Sequence, residues 1–189
     1  MRTNCLIPVL AVFALTSAAA QGAVIHYQAP LSSDGESNSP GTGMALVDVD
    51  PVANTMHVHV TFSGLTSGTT ASHIHSPTSS PGTGNAGVAT TTPTFAGFPL
   101  GVTNGTYDST LDMTLSSSYN PSFVTANGGT TASAEAALFA SIAADTAYLN
   151  IHTTNFPGGE ILGFLVPVPE PASISLLGAT ALILLRRRR

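Results

Sequence analysis

The chain has 189 residues, of which 43% are apolar and 6% aromatic, with no Trp and a formal net charge of −5. That length accommodates one domain with short appendages, and the apolar fraction suffices for a core. The five basic residues are Arg2 and Arg186 to Arg189, so residues 24–166 carry nine carboxylates and no Lys or Arg; such a domain cannot neutralise phosphates, which excludes nucleic acid as a partner.

Residues 1–23, "MRTNCLIPVLAVFALTSAAAQGA", open with Arg2, continue through an apolar stretch from Cys5 to Leu15, and end in small residues. Ala18-Ala19-Ala20 supplies an A-x-A site. This order of charge, oil and small residues predicts a secretory signal peptide, cleaved after Ala20 or Ala23, and hence an exported protein. Cys5 is the sole cysteine and lies inside that segment. The mature chain is therefore expected to hold no disulfide.

From residue 24 onward, alternation with a period of two predicts strands. In "MALVDVD", Ala45, Val47 and Val49 share one face while Asp48 and Asp50 share the other. In "TMHVHVTFSGL", Met56, Val58, Val60 and Phe62 oppose His57, His59 and Thr61. Further strands are expected at 24–28, 72–75, 87–91, 110–115, 147–152 and 160–166. Gly, Pro and Asn-rich turns separate them, among them Asp50-Pro51, Pro81-Gly82, Asn127-Gly128-Gly129 and Pro157-Gly158-Gly159. One stretch differs: "TASAEAALFASIAAD" places Leu138 and Ile142 four apart, at helical spacing. Its start is assigned to a Thr131 or Ser133 cap, with Glu135 in the first turn. The expected fold is all-β, an antiparallel β-sandwich (Greek-key-like) or barrel with one short helix, over residues 24–166.

Three segments of this body, "VTFSGLTSGTTASHIHSP", "GVATT" and "AYLNIHTTNFPGGEILGFL", stand in an order that resembles the chordin-type (CHRD) domain. The resemblance spans roughly residues 24 to 166. It implies a β-sandwich found in secreted proteins and carries over no enzymatic activity. Leu162 stands after G-E-I, where that family usually has Arg, and Glu160 matches the family's fixed acid, read as a hydrogen-bond acceptor for a backbone amide or a nearby His.

All six histidines (His26, His57, His59, His73, His75 and His152) lie in the middle domain. His73 and His75 are two apart on a strand, so both imidazoles point to one face, and His152 sits beside Asn150 near the end of another strand. An H-x-H pair with a third His from a neighbouring strand is a ligand pattern for Zn²⁺ or Cu²⁺. The same trio also suits structural histidines donating to backbone carbonyls at strand ends. The layout is similar to copper/zinc superoxide dismutases, but a domain with no Lys or Arg to guide an anion and no cysteine pair argues against dismutase chemistry. His57 and His59 form a second same-face pair, read as solvent-facing. Asp48 and Asp50 lack the EF-hand spacing and are read as solvated charge rather than a Ca²⁺ site. No G-x-S-x-G, H-E-x-x-H or phosphate-cradling glycine motif occurs, so the protein is not expected to be an enzyme.

Residues 167–189 close the chain. The apolar run from Ala172 to Leu185 is 14 residues, about 21 Å as a helix, short of a bilayer core of about 30 Å. A short transmembrane helix is expected there, held by Arg186, Arg187, Arg188 and Arg189 on the cytoplasmic side. Pro169-Glu170-Pro171 before such a helix and a terminal Arg cluster resembles the PEP-CTERM sorting signal of Gram-negative bacteria. That resemblance implies an exosortase as partner, transient anchoring in the inner membrane, and delivery to the cell surface or an extracellular matrix. The function expected from sequence is an exported, non-enzymatic module that acts there in structure, adhesion or the binding of a polysaccharide or protein ligand. The alternative is an exported protein binding copper or zinc through its histidines.

Overall fold

A computed structural model of the protein describes residues 24–33 and 38–169. The expected signal peptide, the expected helix at 172–185, Glu170, Pro171 and the four terminal arginines lie outside the described residues, and only Pro169 of the expected sorting motif falls within them. Among the described residues no helix is long and apolar enough to cross a membrane.

Among the described residues, eight strands form two antiparallel sheets. The larger contains β1 (Ile25–Leu31), β2 (Thr42–Asp50), β3 (Thr55–Ser63), β5 (Gly105–Asp112) and β8 (Val166–Pro167), in the order β5-β3-β2-β1-β8. The smaller contains β4 (Thr69–His75), β6 (Tyr148–Thr153) and β7 (Ile161–Phe164), in the order β4-β6-β7. The alternation in sequence decides which face packs. Ala45 pairs with Val60 and Val47 with Val58, and all four are fully buried, while Asp48 and His57 face each other on the outer side. The hairpin between β2 and β3 closes through Asp50, whose carboxylate accepts from the amides of Val52 and Ala53, both at 2.9 Å. Asn54 then takes a left-handed φ of 54° before β3 begins.

The sheets share one core. Val58, Val60, Ile74, Leu149, Ile151 and Ile161 meet between them, each contributing about 1.5–3 kcal/mol of transfer free energy when fully buried. Along one seam the sandwich is stitched towards a barrel: Ser32 and Leu162 exchange backbone hydrogen bonds of 3.1 and 2.9 Å. Gly163 is required at that seam, because a Cβ there would collide with the carbonyl oxygen of Pro30. Past β7 the chain switches sheets, and β8 pairs with β1.

Several boundaries differ from those expected. Residues 87–91 form no strand. The segment instead ties to the edge of β4 through one isolated bridge, in which the Ala89 amide donates to the Ile74 carbonyl and the Ser76 amide to the Gly87 carbonyl, and through the Thr90 hydroxyl, which accepts from the Ile74 amide; no continuous ladder forms. β5 starts earlier than 110 and stops at Asp112, whose carboxylate accepts from the Thr114 amide and hydroxyl at 2.9 and 2.6 Å and turns the chain.

The expected helix is α2 (Thr131–Ala143), with Leu138 and Ile142 fully buried. Its cap is Thr130 rather than Thr131 or Ser133. Thr130 Oγ1 accepts from the Ser133 amide and Ser133 Oγ accepts from the Thr130 amide, a reciprocal capping box. Glu135 consequently lies past the first turn and is buried at 7% exposure, where burial, then Asp112, push its carboxyl above the usual range. With its amide oriented to donate, Asn54 stands 3.2 Å from both Glu135 oxygens. A second helix, α1 (Pro121–Ala126), joins the one expected. Asn120 Oδ1 caps it by accepting from the Ser122 amide, and Pro121 sits at its first position.

Candidate metal centre

Strand geometry puts His73 and His75 on the face of β4 opposite the core, because Ile74 between them points inward. On β6, Leu149 and Ile151 point into the core, which turns Tyr148, Asn150 and His152 to the same outer face. Register sets the rest: His73 lies across from Asn150, His75 across from Tyr148, and His152 across from Ala71. Directly opposed side chains on antiparallel strands lie about 4.5–5.5 Å apart at Cβ. The three imidazoles therefore converge, with ring centroids 4.8 Å apart for His73–His75, 4.7 Å for His73–His152 and 5.8 Å for His75–His152.

An outer sheet face is ordinarily wet. Here the loops after β4 and β6 cover it, so His73, His75 and His152 are only 7%, 8% and 9% exposed. The same loops fix each ring. His73 Nδ1 lies 3.2 Å from the Pro93 carbonyl, His75 Nδ1 2.8 Å from that of Ala86, and His152 Nδ1 2.8 Å from that of Pro157. A carbonyl only accepts, so each Nδ1 carries the proton and each Nε2 presents a lone pair. All three Nε2 atoms are buried and have no hydrogen-bond partner.

The rings are also held neutral. Burial, and then repulsion from His152 and His75, lower the His73 pKa to about 3 against the opposing pull of the Pro93 carbonyl. Burial likewise lowers His75 and His152, with the Ala86 and Pro157 carbonyls acting in the other direction. The candidate ligand atoms lie within 4.8 Å of one another. Imidazole nitrogens around a tetrahedral Zn²⁺ at about 2.0–2.1 Å are roughly 3.4 Å apart, so modest ring movement closes the set on an ion. Among the described residues no other group of three His, Cys, Asp or Glu converges in this way.

The second histidine pair is different in kind. His57 and His59 lie on the outer face of the large sheet, joined there by Asp108 of β5, a residue the sequence reading did not single out. His59 Nδ1 is 2.7 Å and His57 Nε2 3.2 Å from the Asp108 carboxylate, which these bonds hold below the usual range. Asp48 continues the row, 2.6 Å from His26 Nδ1 and 3.7 Å from His57 Nδ1. Asp48 is thus paired with histidines, and Asp50 serves the hairpin turn.

Glu160 is an acceptor, as expected, and of the two donors expected it takes the backbone amide and not a histidine. Its carboxylate accepts from Ser39 Oγ, the Thr66 amide and Thr153 Oγ1, each at 2.6 Å, at 1% exposure. Burial pushes its pKa up, and the hydrogen bonds from Ser39, Thr153 and Thr66 outweigh that and leave it lowered. Leu162 faces a cavity beside His75, so the place where the family usually carries Arg adds no positive charge there.

Two antiparallel sheets of this kind, with a connector-covered outer face on the smaller one, define a β-sandwich module. The chain belongs to the CHRD domain family, whose model matches residues 27–165, and this membership fits an exported protein. No curated protein and no solved structure matches the chain.

Proposed function

We propose that the protein is an exported, non-enzymatic CHRD module that binds one transition-metal ion, Zn²⁺ or Cu²⁺, through Nε2 of His73, His75 and His152. One observation carries this reading: three buried imidazole nitrogens on one face, each a bare lone pair, with each ring fixed by a carbonyl at its other nitrogen. Three acceptors packed together without a donor are costly in a folded protein, and a cation satisfies all of them at once. Carbonyls at the distal nitrogens are the usual orienting partners of metal-bound histidines. Imidazole ligands suit zinc and copper. Among the described residues no carboxylate joins the trio as a base, which favours binding over turnover.

The reading of delivery rests on the two ends of the sequence. Residues 1–23 direct export, and Pro169-Glu170-Pro171 with the tail to Arg189 addresses the chain to an exosortase at the inner membrane. The mature module then resides at the cell surface or in an extracellular matrix, in contact with a polysaccharide or protein ligand.

Calorimetric titration of the purified protein with Zn²⁺ and Cu²⁺ tests the site. One saturable equivalent is expected, weakened at least a hundredfold in His73→Ala/His75→Ala and retained in His57→Ala/His59→Ala, with circular dichroism reporting that each variant folds. Equal affinity in the first double variant would overturn the assignment. Intact-mass measurement of protein from the envelope and the medium tests delivery: a mature form still ending in Arg186 to Arg189 is incompatible with the sorting reading.

A further inference from the structure

The three Nε2 atoms have a fourth companion. Asn150 is 2% exposed, lies across from His73 in the ladder and two residues from His152, and lines the same cavity as His75. Its Nδ2 donates to the Gly158 carbonyl at 3.2 Å, which fixes the amide: turned over, two acceptors would face each other. Oδ1 is then the remaining polar atom of that side chain, and it is buried with no partner. The turn that orients it is built for the purpose. Gly159 has a φ of 126°, and a Cβ there would overlap the Asn150 amide. One turn thus supplies the carbonyl for His152, the carbonyl for Asn150 and the space Asn150 fills.

The outer face therefore offers three nitrogen lone pairs and one oxygen acceptor. A bare cation on three imidazoles leaves the oxygen unsatisfied, whereas a cation carrying a water satisfies all four. A cavity of about 520 Å³, lined by His75, Tyr148, Asn150, Asn85 and Phe156, opens beside this group. Tyr148 stacks flat on His75 at 4.8 Å and its hydroxyl accepts from the Ala86 amide, so the wall is ordered. Neither Lys nor Arg occurs between residues 24 and 166, so the ion itself is the sole fixed positive charge available to a small ligand.

Resting on the metal reading above, we infer that the centre is coordinatively open: a water occupies its fourth position, donates a hydrogen bond to Asn150 Oδ1, and exchanges with small ligands through the cavity at His75 and Tyr148. Asn150 is a positioning residue. It favours ligands that bring a proton for its oxygen, such as water or a hydroxyl, over bare anions.

The test uses the purified full-length protein loaded with Cu²⁺ and titrated with azide, followed by the ligand-to-metal charge-transfer band and by electron paramagnetic resonance. Wild type should respond saturably. Asn150→Ala should keep Cu²⁺ affinity within about threefold and bind azide roughly three- to tenfold more tightly, because the opposing acceptor is gone. Asn150→Asp, near-isosteric and so still informative if the alanine variant misfolds, should tighten Cu²⁺ on the order of tenfold and weaken azide binding at least tenfold, because its negative charge beside the fourth position attracts the cation and repels the anion. Stoichiometric Cu²⁺ with no azide response in wild type, or identical azide titrations in all three proteins, would overturn the open position while leaving the metal site standing. Failure of Cu²⁺ to bind at all would overturn both.

Discussion

Acidifying the metal-free protein from pH 7 to pH 5 should destabilise it through the buried histidines, and His73 sets the scale. Its pKa is 6.5 when unfolded and about 3 when folded. A lowered histidine contributes stability that is whole above 6.5 and is lost as pH falls towards 3, because the unfolded chain takes up the proton first. Between pH 7 and 5 the unfolded His73 goes from mostly neutral to almost fully charged while the folded one stays neutral. The difference is about 2 kcal/mol for this residue. His75 and His152 are lowered too and add in the same direction. The carboxylates with lowered pKa, Asp108, Asp112 and Glu160, start from 3.8 or 4.5 and act mainly below this window. With a urea slope of about 2 kcal/mol/M, the His73 share alone moves the midpoint by about 1 M. The assay is urea unfolding by circular dichroism at several pH values, for wild type and His73→Gln. The quantity compared is the loss between pH 7 and 5, so a constant cost of the substitution cancels. The variant should lose about 2 kcal/mol less than wild type. Equal losses in the two proteins would refute the claim that His73 is held neutral by its surroundings.

Two substitutions probe the framework around the site. Glu160→Gln removes the charge and sets an amide nitrogen against either the Thr153 hydroxyl or the Ser39 hydroxyl and Thr66 amide, which donate to the two different oxygens, and should cost about 2–4 kcal/mol in urea unfolding. Gly159→Ala meets both a positive φ and the Asn150 amide; a loss of about 1–3 kcal/mol is expected, with weaker Zn²⁺ binding by calorimetry because the Pro157 carbonyl that orients His152 moves with the turn.

Period-two patterning made β2 and β3 legible, since one face of each is packed and the other wet. The same rule placed His73 and His75 side by side. It could not report that an outer face would be dry, because the cover comes from Ala86, Pro93 and Pro157, which are 11, 20 and 5 residues away along the chain from the rings they hold. Backbone carbonyls leave no trace in a list of side chains. Asn150 was visible beside His152, but its importance lies in an unpaired oxygen, which is a property of packing. Asp108 sat in a segment whose strand was placed too late, so its register with His57 and His59 was hidden. For α1 the signal was present: Asn120-Pro121 is a cap followed by the residue best suited to a first helical turn. The cap of α2 is Thr130 where Thr131 or Ser133 was expected, because all three offer a hydroxyl and reciprocity between Thr130 and Ser133 decides among them.

The pairing of β8 with β1 also governs how the domain bears load. The Val168 amide donates to the His26 carbonyl at 2.8 Å, and Tyr27 lies across from Pro167, so the first and last described strands run side by side in opposite directions. Tension applied between residues 24 and 169 meets these bonds singly, as a zipper, and peels β8 before it reaches the core. Tension transmitted through one end alone never loads that zipper. A single tether therefore spares the sandwich, whereas strain across both ends would first release the strand nearest the tail.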